Sequence, residues 1–199
     1  MNAVSTLSGL AALCVVGSSS AAIVTFTQQN VWQSFSALQG ASLYTETFSG
    51  VADGFYNSYS GSTGPVNWSA GANGGLYVQG GLFSTNNPAP LNFDLGSGVN
   101  GLAGNFFATD INFTVVPAIV TLMLGDGSSF IGYIDSANAY TGFYSTGALI
   151  TSVRIEAASL NGGNVYPTTD NMQFAVVPAP AALALAGVAA AVGGRRRRR

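Results

Sequence analysis

The sequence predicts an all-β fold, an antiparallel β-sandwich with one short N-terminal helix and a C-terminal apolar helix. Three observations carry this. From Ser42 onward the hydropathy alternates with a period of two. Clusters rich in Gly, Asn and Ser interrupt the alternation at short intervals, and glycine alone contributes 26 of 199 residues. Only 7% of residues are charged, which suits short strands and many turns. The length fits one domain with a real core.

In chain order, Leu7 to Val16 is a short apolar run followed by small residues up to Ala22. It resembles a secretory signal peptide over residues 1–22, although no Lys or Arg precedes the apolar run. Asn30 to Gly40 reads as the helix, with Asn30 as N-cap, Trp32, Phe35 and Leu38 on one stripe, and Gly40 as terminator. Its expected place is one end of a sandwich spanning residues 23–176. Within that sandwich Leu91–Leu95, Ile111–Val115 and Val153–Ala157 alternate cleanly. Gly125-Asp126-Gly127 should join Ile119–Leu124 to Ser128–Ile134 as a hairpin. Turn clusters recur at 50–54, 58–64, 71–75, 96–104 and 161–164, without a fixed repeat period. Arg154 and Glu156 share the wet face of a late strand, where an exposed pair has little energetic value.

Charge is informative once divided by region. Five of the six basic residues are Arg195 to Arg199, the sixth is Arg154, and all eight acids lie between the terminal segments. The body therefore has one positive and eight negative side chains, a formal charge of −7. That sign disfavours nucleic acid and anionic glycans, since phosphate binding needs basic side chains. It suits a cation or a neutral sugar. The sole cysteine, Cys14, lies in the N-terminal apolar run, so disulfide scaffolds and thiolate zinc sites are excluded from the body.

Residues 177–199 have three parts. Val177-Pro178-Ala179-Pro180 comes first, then fourteen uncharged residues from Ala181 to Gly194, then Arg195-Arg196-Arg197-Arg198-Arg199. As a helix the middle part rises only about 21 Å, short of a roughly 30 Å hydrocarbon core. Extending the run back to Phe174 brings it near spanning length, and the arginines should stay on the cytoplasmic side. A plain tail anchor and a nucleic-acid-binding arm are the other readings of such a segment.

This tail resembles a PEP-CTERM sorting signal: a Val-Pro-Glu-Pro-like motif, an apolar helix and a terminal arginine cluster. Ala179 stands where that pattern has glutamate. The resemblance implies an exported bacterial protein whose tail is held in the membrane, then recognised and processed by an exosortase-like integral-membrane enzyme. Delivery would be to the cell surface, outer envelope or extracellular matrix. Glu46-Thr47-Phe48-Ser49-Gly50, Gly142-Phe143-Tyr144, Thr151 to Ile155 and Thr169 to Phe174 are similar to segments of domains that precede such tails. That similarity implies a jelly-roll or galactose-binding-like body. It further implies a structural calcium held by Glu46, near the first strand, and Asp170, near the last, with Asn171 as a third oxygen donor.

The absence of His and Lys, and of Cys outside the N-terminal run, removes Ser-His-Asp and Cys-His hydrolysis, Schiff-base chemistry and histidine zinc sites. Carboxylates and tyrosines are the acid–base candidates left, which keeps a two-carboxylate glycosidase open. The main expectation is a non-enzymatic structural or interaction protein. The alternative is a lectin-like module for neutral polysaccharide, with Tyr56, Tyr59, Trp68 and Tyr77 placed in or beside glycine-rich loops where a ring could stack on a sugar. The competing role for these four rings is to cover the edge of the core.

Overall fold

The computed structural model describes residues 22–178. The N-terminal apolar run with Cys14, the residues Ala179 and Pro180, the expected C-terminal helix over Ala181–Gly194, and Arg195–Arg199 lie outside the described residues. Among the described residues no helix is long and apolar enough to cross a membrane.

The elements are β1 (Ile23–Phe26), α1 (Gln29–Leu38), β2 (Ser42–Glu46), β3 (Gly54–Thr63), β4 (Val66–Gln79), β5 (Leu82–Thr85) and β6 (Leu91–Val99). They continue with β7 (Gly101–Thr109), β8 (Ala118–Leu124), β9 (Ser129–Ile134), β10 (Tyr140–Ser145), β11 (Ile150–Ser159) and β12 (Tyr166–Val176). The strands form one antiparallel ribbon in the order β1-β10-β7-β12-β5-β4-β6-β11-β8-β9, with β2 also on β12 and β3 also on β4. The ribbon doubles over so that β11 lies against β7 and β12, β6 against β12, and β8 against β7. One layer then reads β5-β12-β7-β10 and the other β6-β11-β8-β9, the strand order of a jelly roll. The all-β sandwich expected from the alternation is the architecture observed.

Strand β4 is the corner between the layers. Trp68–Ala72 pair with β6, whereas Leu76–Gln79 pair with β5. Between these halves Ala72–Gly75 stand across from Asn57 of β3, and Gly74 and Gly75 take φ of +88° and +85°. Glycine is required at the second of these, because a Cβ on Gly75 would lie 2.8 Å from the Tyr56 carbonyl oxygen.

Leu91, Phe93 and Leu95 point inward from β6, as Val153 and Ile155 do from β11. They pack between the layers with Phe48, Trp68, Phe83, Phe106, Phe107, Phe143 and Phe174. Phe48 is the hub of the aromatic part, with ring centroids 4.9 Å from Phe83 and 5.5 Å from Trp68. The hairpin through Gly125–Gly127 forms as expected, with Gly127 supplying the positive φ. Arg154 Nε donates to Glu156 Oε1 at 2.6 Å on the exposed face of β11.

Two expectations need correction. Residues Ile111–Val115 do not form a strand. Asp110 Oδ1 accepts from the backbone N–H of Asn112 and of Thr114, at 2.8 and 2.9 Å, and this side-chain turn outcompetes extension. The helix starts two residues earlier than expected, with Gln28 rather than Asn30 at the N-cap, and Leu38 is 84% exposed. At 100° per residue Leu38 lies about 120° around the helix from Trp32, so Trp32, Phe35 and Ser36 form the inward stripe. Instead of capping an end, α1 lies against β10, β2 and β1. Trp32 Nε1 donates to the Phe143 carbonyl at 3.0 Å, and a Cβ on Gly142 would lie 2.6 Å from the indole.

Candidate functional site

The half of β4 beyond the corner presents Tyr77 and Gln79 outward, and Tyr77 pairs with Ser84 of β5. The turn at Asp110–Phe113, leaving β7, folds over this surface. Together they enclose a pocket of about 300 Å³ lined by Tyr77, Gln79, Thr85, Asp110, Phe113 and Tyr166, among others. The Tyr77 and Phe113 rings are 5.9 Å apart and tilted by 49°. Tyr77 is 37% exposed, and Ile111 at the lip is 75% exposed.

One feature sets this pocket apart from ordinary surface. Phe113 holds φ = +60°, unusual for an aromatic residue, and the Asp110 carboxylate imposes it through its bonds to Asn112 and Thr114. Thr85, 3% exposed, has a buried Oγ1 with no hydrogen-bond partner among the described residues. Leaving such a hydroxyl unpaired costs on the order of 1–3 kcal/mol. Its neighbours are satisfied: Ser84 Oγ and Thr168 Oγ1 are 2.8 Å apart, and Thr168 Oγ1 is 2.9 Å from Thr109 Oγ1. Thr85 stands opposite buried Leu76, so its hydroxyl lies on the core side of β5, while Ser84 shares the face of Tyr77. Among the described residues the one cationic side chain is Arg154, which does not line this pocket.

Chemically the pocket offers two ring faces, amide and hydroxyl donors, and the second oxygen of Asp110 as an acceptor. It holds no nucleophile–base pair. Such a set suits a neutral polyhydroxylated ligand, whose apolar ring face stacks and whose hydroxyls bond.

Of the four aromatic residues singled out by sequence, Tyr56, Tyr59 and Trp68 pack on one another and Tyr77 stands apart. Tyr77 alone lines the pocket. Trp68 is 4% exposed and sits in the core against Phe48, Phe83 and Phe93. Tyr59 lies over Trp68 at 5.8 Å, and Tyr56 packs edge-on to Tyr59 while its hydroxyl donates to the Ala52 carbonyl.

Glu46, Asp170 and Asn171 are each engaged locally. Glu46 Oε1 accepts from the Phe48 N–H at 2.8 Å and Oε2 from Thr63 Oγ1 at 2.6 Å, while Trp68 Nε1 donates to the same Thr63 oxygen. This chain anchors both Phe48, whose φ is +54°, and the buried indole. Asp170 accepts from Asn171 twice, at the backbone N–H and at Nδ2, and Asn171 holds φ = +49° in a bulge of β12. Burial pushes the Asp170 carboxyl pKa up, against a smaller lowering by the Asn171 N–H. Strand register sets Glu46 opposite Met172 but Asp170 opposite Asn105. Among the described residues no group of three or more acids, His or Cys gathers to hold a metal. Pro178 is exposed just beyond β12. Its partners in the sorting motif lie outside the described residues.

Sequence reading missed Asp110, Ile111 and Phe113. The available signal was Asp110 with Asn112 two residues on, a turn-forming pair hidden inside an alternating pattern.

No protein-family model matches the chain, and no curated protein matches it. Among solved structures, a CBM29-2 mutant complexed with cellulohexaose is similar at 12% identity and a TM-score of 0.37, covering 68% of this chain and 91% of that one. Another CBM29-2 mutant, complexed with mannohexaose, gives 11% and 0.37 over 68% and 92%. A mutant of a family 29 carbohydrate binding module gives 12% and 0.37 over 70% and 99%.

Proposed function

We propose that this chain is an exported bacterial protein of the cell surface, outer envelope or extracellular matrix, with a non-enzymatic interaction role. Its body binds neutral polysaccharide in the pocket between Tyr77 and Phe113. In this reading residues 1–22 direct export, the tail holds the protein in the membrane, and an exosortase-like enzyme processes it at the Pro178-Ala179-Pro180 motif. The observation that carries the binding role is the Tyr77–Phe113 ring pair beside Asp110 in a pocket lined by no cation. The Tyr77 ring would supply a stacking face, and the free Asp110 oxygen would accept from a ligand hydroxyl.

Glycan-array binding tests it. Wild type should bind neutral glycans saturably, and Tyr77→Ala should weaken binding about tenfold, equivalent to about 1.4 kcal/mol. Absence of saturable binding by wild type would sink the binding role. Intact-mass spectrometry of protein from its native envelope addresses the rest: a species still carrying Arg195–Arg199 is incompatible with processing.

A further inference from the structure

We propose that the protein carries a second polysaccharide-binding surface, a trough across the outward faces of β3, β4, β6 and β11. With the Tyr77 pocket it makes the domain a bridge between two neutral polysaccharide chains. The bridging role rests on the reading of that pocket given above.

Strand register places Ser60, Ser69, Asp94 and Ser152 side by side in one row perpendicular to the strands. Neighbouring strands lie about 4.8 Å apart, so the row presents a polar group at each such step over about 14 Å. Three depressions run together along it. The largest, about 570 Å³, lies over β3, β4 and β6. It shares Asp94 with a second of about 250 Å³, which shares Arg154 with a third of about 310 Å³.

The composition of this face is unusual for exposed sheet. Long charged side chains normally cover such a surface and guard it, yet the largest depression is lined by serines, two glycines, Asn67, Asp94 and the edge of the buried Trp68. Gly96 is part of the same floor, where a Cβ would meet only ordinary contacts at 3.6 Å or more. Packing does not demand glycine there, and a glycine inside a strand otherwise weakens it or marks a close approach by a ligand. Asp94 has no hydrogen-bond or ion-pair partner within the protein among the described residues, so its carboxylate is free to accept from sugar hydroxyls. Hydroxyl, amide and carboxylate groups repeated at strand spacing fit an extended neutral chain lying across the strands. Among the described residues the row itself carries no aromatic side chain, and the exposed Phe55 and Tyr77 rings stand beyond the corner, so binding here should be weaker than at the pocket.

The two surfaces belong to opposite layers. Both use the outward face of β4, Asn67 and Ser69 before the corner and Tyr77 after it. Facing away from each other across the sandwich, they cannot share one short oligosaccharide. Two weak sites on one rigid body gain avidity from a polymer network.

The test uses the full-length chain with soluble mixed-linkage glucan, galactomannan and dextran, followed by light scattering, alongside binding of matching short oligosaccharides. Wild type should cross-link at least one polymer, with scattering passing through a maximum as protein is added. Asp94→Ala and Ser69→Arg should reduce that maximum at least fivefold while oligosaccharide binding at the pocket persists. Tyr77→Ala should lose oligosaccharide binding, keep weak polymer retention, and fail to cross-link. Wild type that binds polymer without cross-linking, or trough variants that cross-link normally, would overturn the proposal. If both trough variants lose polymer binding while Tyr77→Ala changes nothing, the pocket reading fails and the trough stands. If no polymer binds wild type, both fall.

Discussion

The Tyr77 pocket and the Asp94 trough lie on the same strand, one on each side of the Gly74–Gly75 corner, yet they are built by different means. The trough is strand register alone: Ser60, Ser69, Asp94 and Ser152 align because antiparallel pairing aligns them. The pocket needs a turn folded back onto a sheet and an aromatic residue at positive φ. The first arrangement costs almost nothing in stability. The second stores strain, and strain of that kind persists where surrounding structure over-determines it. A site built from register tolerates substitution, whereas a site built from a strained turn does not.

Breaking the corner should have the largest effect, because it separates the two surfaces. Gly75→Val places a Cβ against the Tyr56 carbonyl at positive φ, and a loss of about 3 kcal/mol in chemical denaturation is expected. A variant as stable as wild type would show that the corner is not needed. Next comes the anchor beneath the aromatic core. Glu46→Ala leaves the Phe48 N–H and the Thr63 hydroxyl unpaired and should cost about 2 kcal/mol, with Glu46→Gln recovering part of it. Equal stabilities of the alanine and glutamine variants would count against this role.

Asp110→Ala sharpens the comparison most directly. It releases Asn112 and Thr114, so Phe113 should leave its strained conformation and pocket affinity should fall about tenfold. Global stability should change by no more than about 1 kcal/mol, since these bonds lie at the surface. Unchanged pocket affinity in this variant would contradict the account of the turn.

The smallest effect is the pH response of Asp170. Its carboxyl pKa is raised above 3.8 on folding, so the folded chain binds that proton more readily than the unfolded chain. The stability it contributes is present below 3.8 and lost as pH rises toward the raised value. Melting curves of wild type and Asp170→Asn across the acid range should therefore diverge in that window, with the variant less sensitive to pH. Parallel curves would place the origin of the pH response elsewhere.

Much of the sandwich was legible from the chain itself. Leu91-Asn92-Phe93-Asp94-Leu95 and Val153 to Glu156 alternate because one face meets core and the other water, and both segments are strands with the expected faces. The same rule failed at Ile111–Val115, where Asp110 captures two backbone N–H groups and a turn wins over extension. It also said little about individual aromatics. Trp68 and Tyr77 sit nine residues apart in one strand, an odd spacing that puts them on opposite faces, and the bend between them decides that Tyr77 meets the Asp110 turn in the other layer.

What the sequence by itself determined was local: the period of two, the turns, the acidic body without lysine or histidine, and a tail distinct from that body. These follow from side-chain chemistry and spacing along the chain. Tertiary structure alone decided which strands became neighbours, that β4 serves both layers, and that the Asp110 turn closes over Tyr77. Those outcomes depend on contacts between residues far apart in sequence, and no short window of residues encodes them.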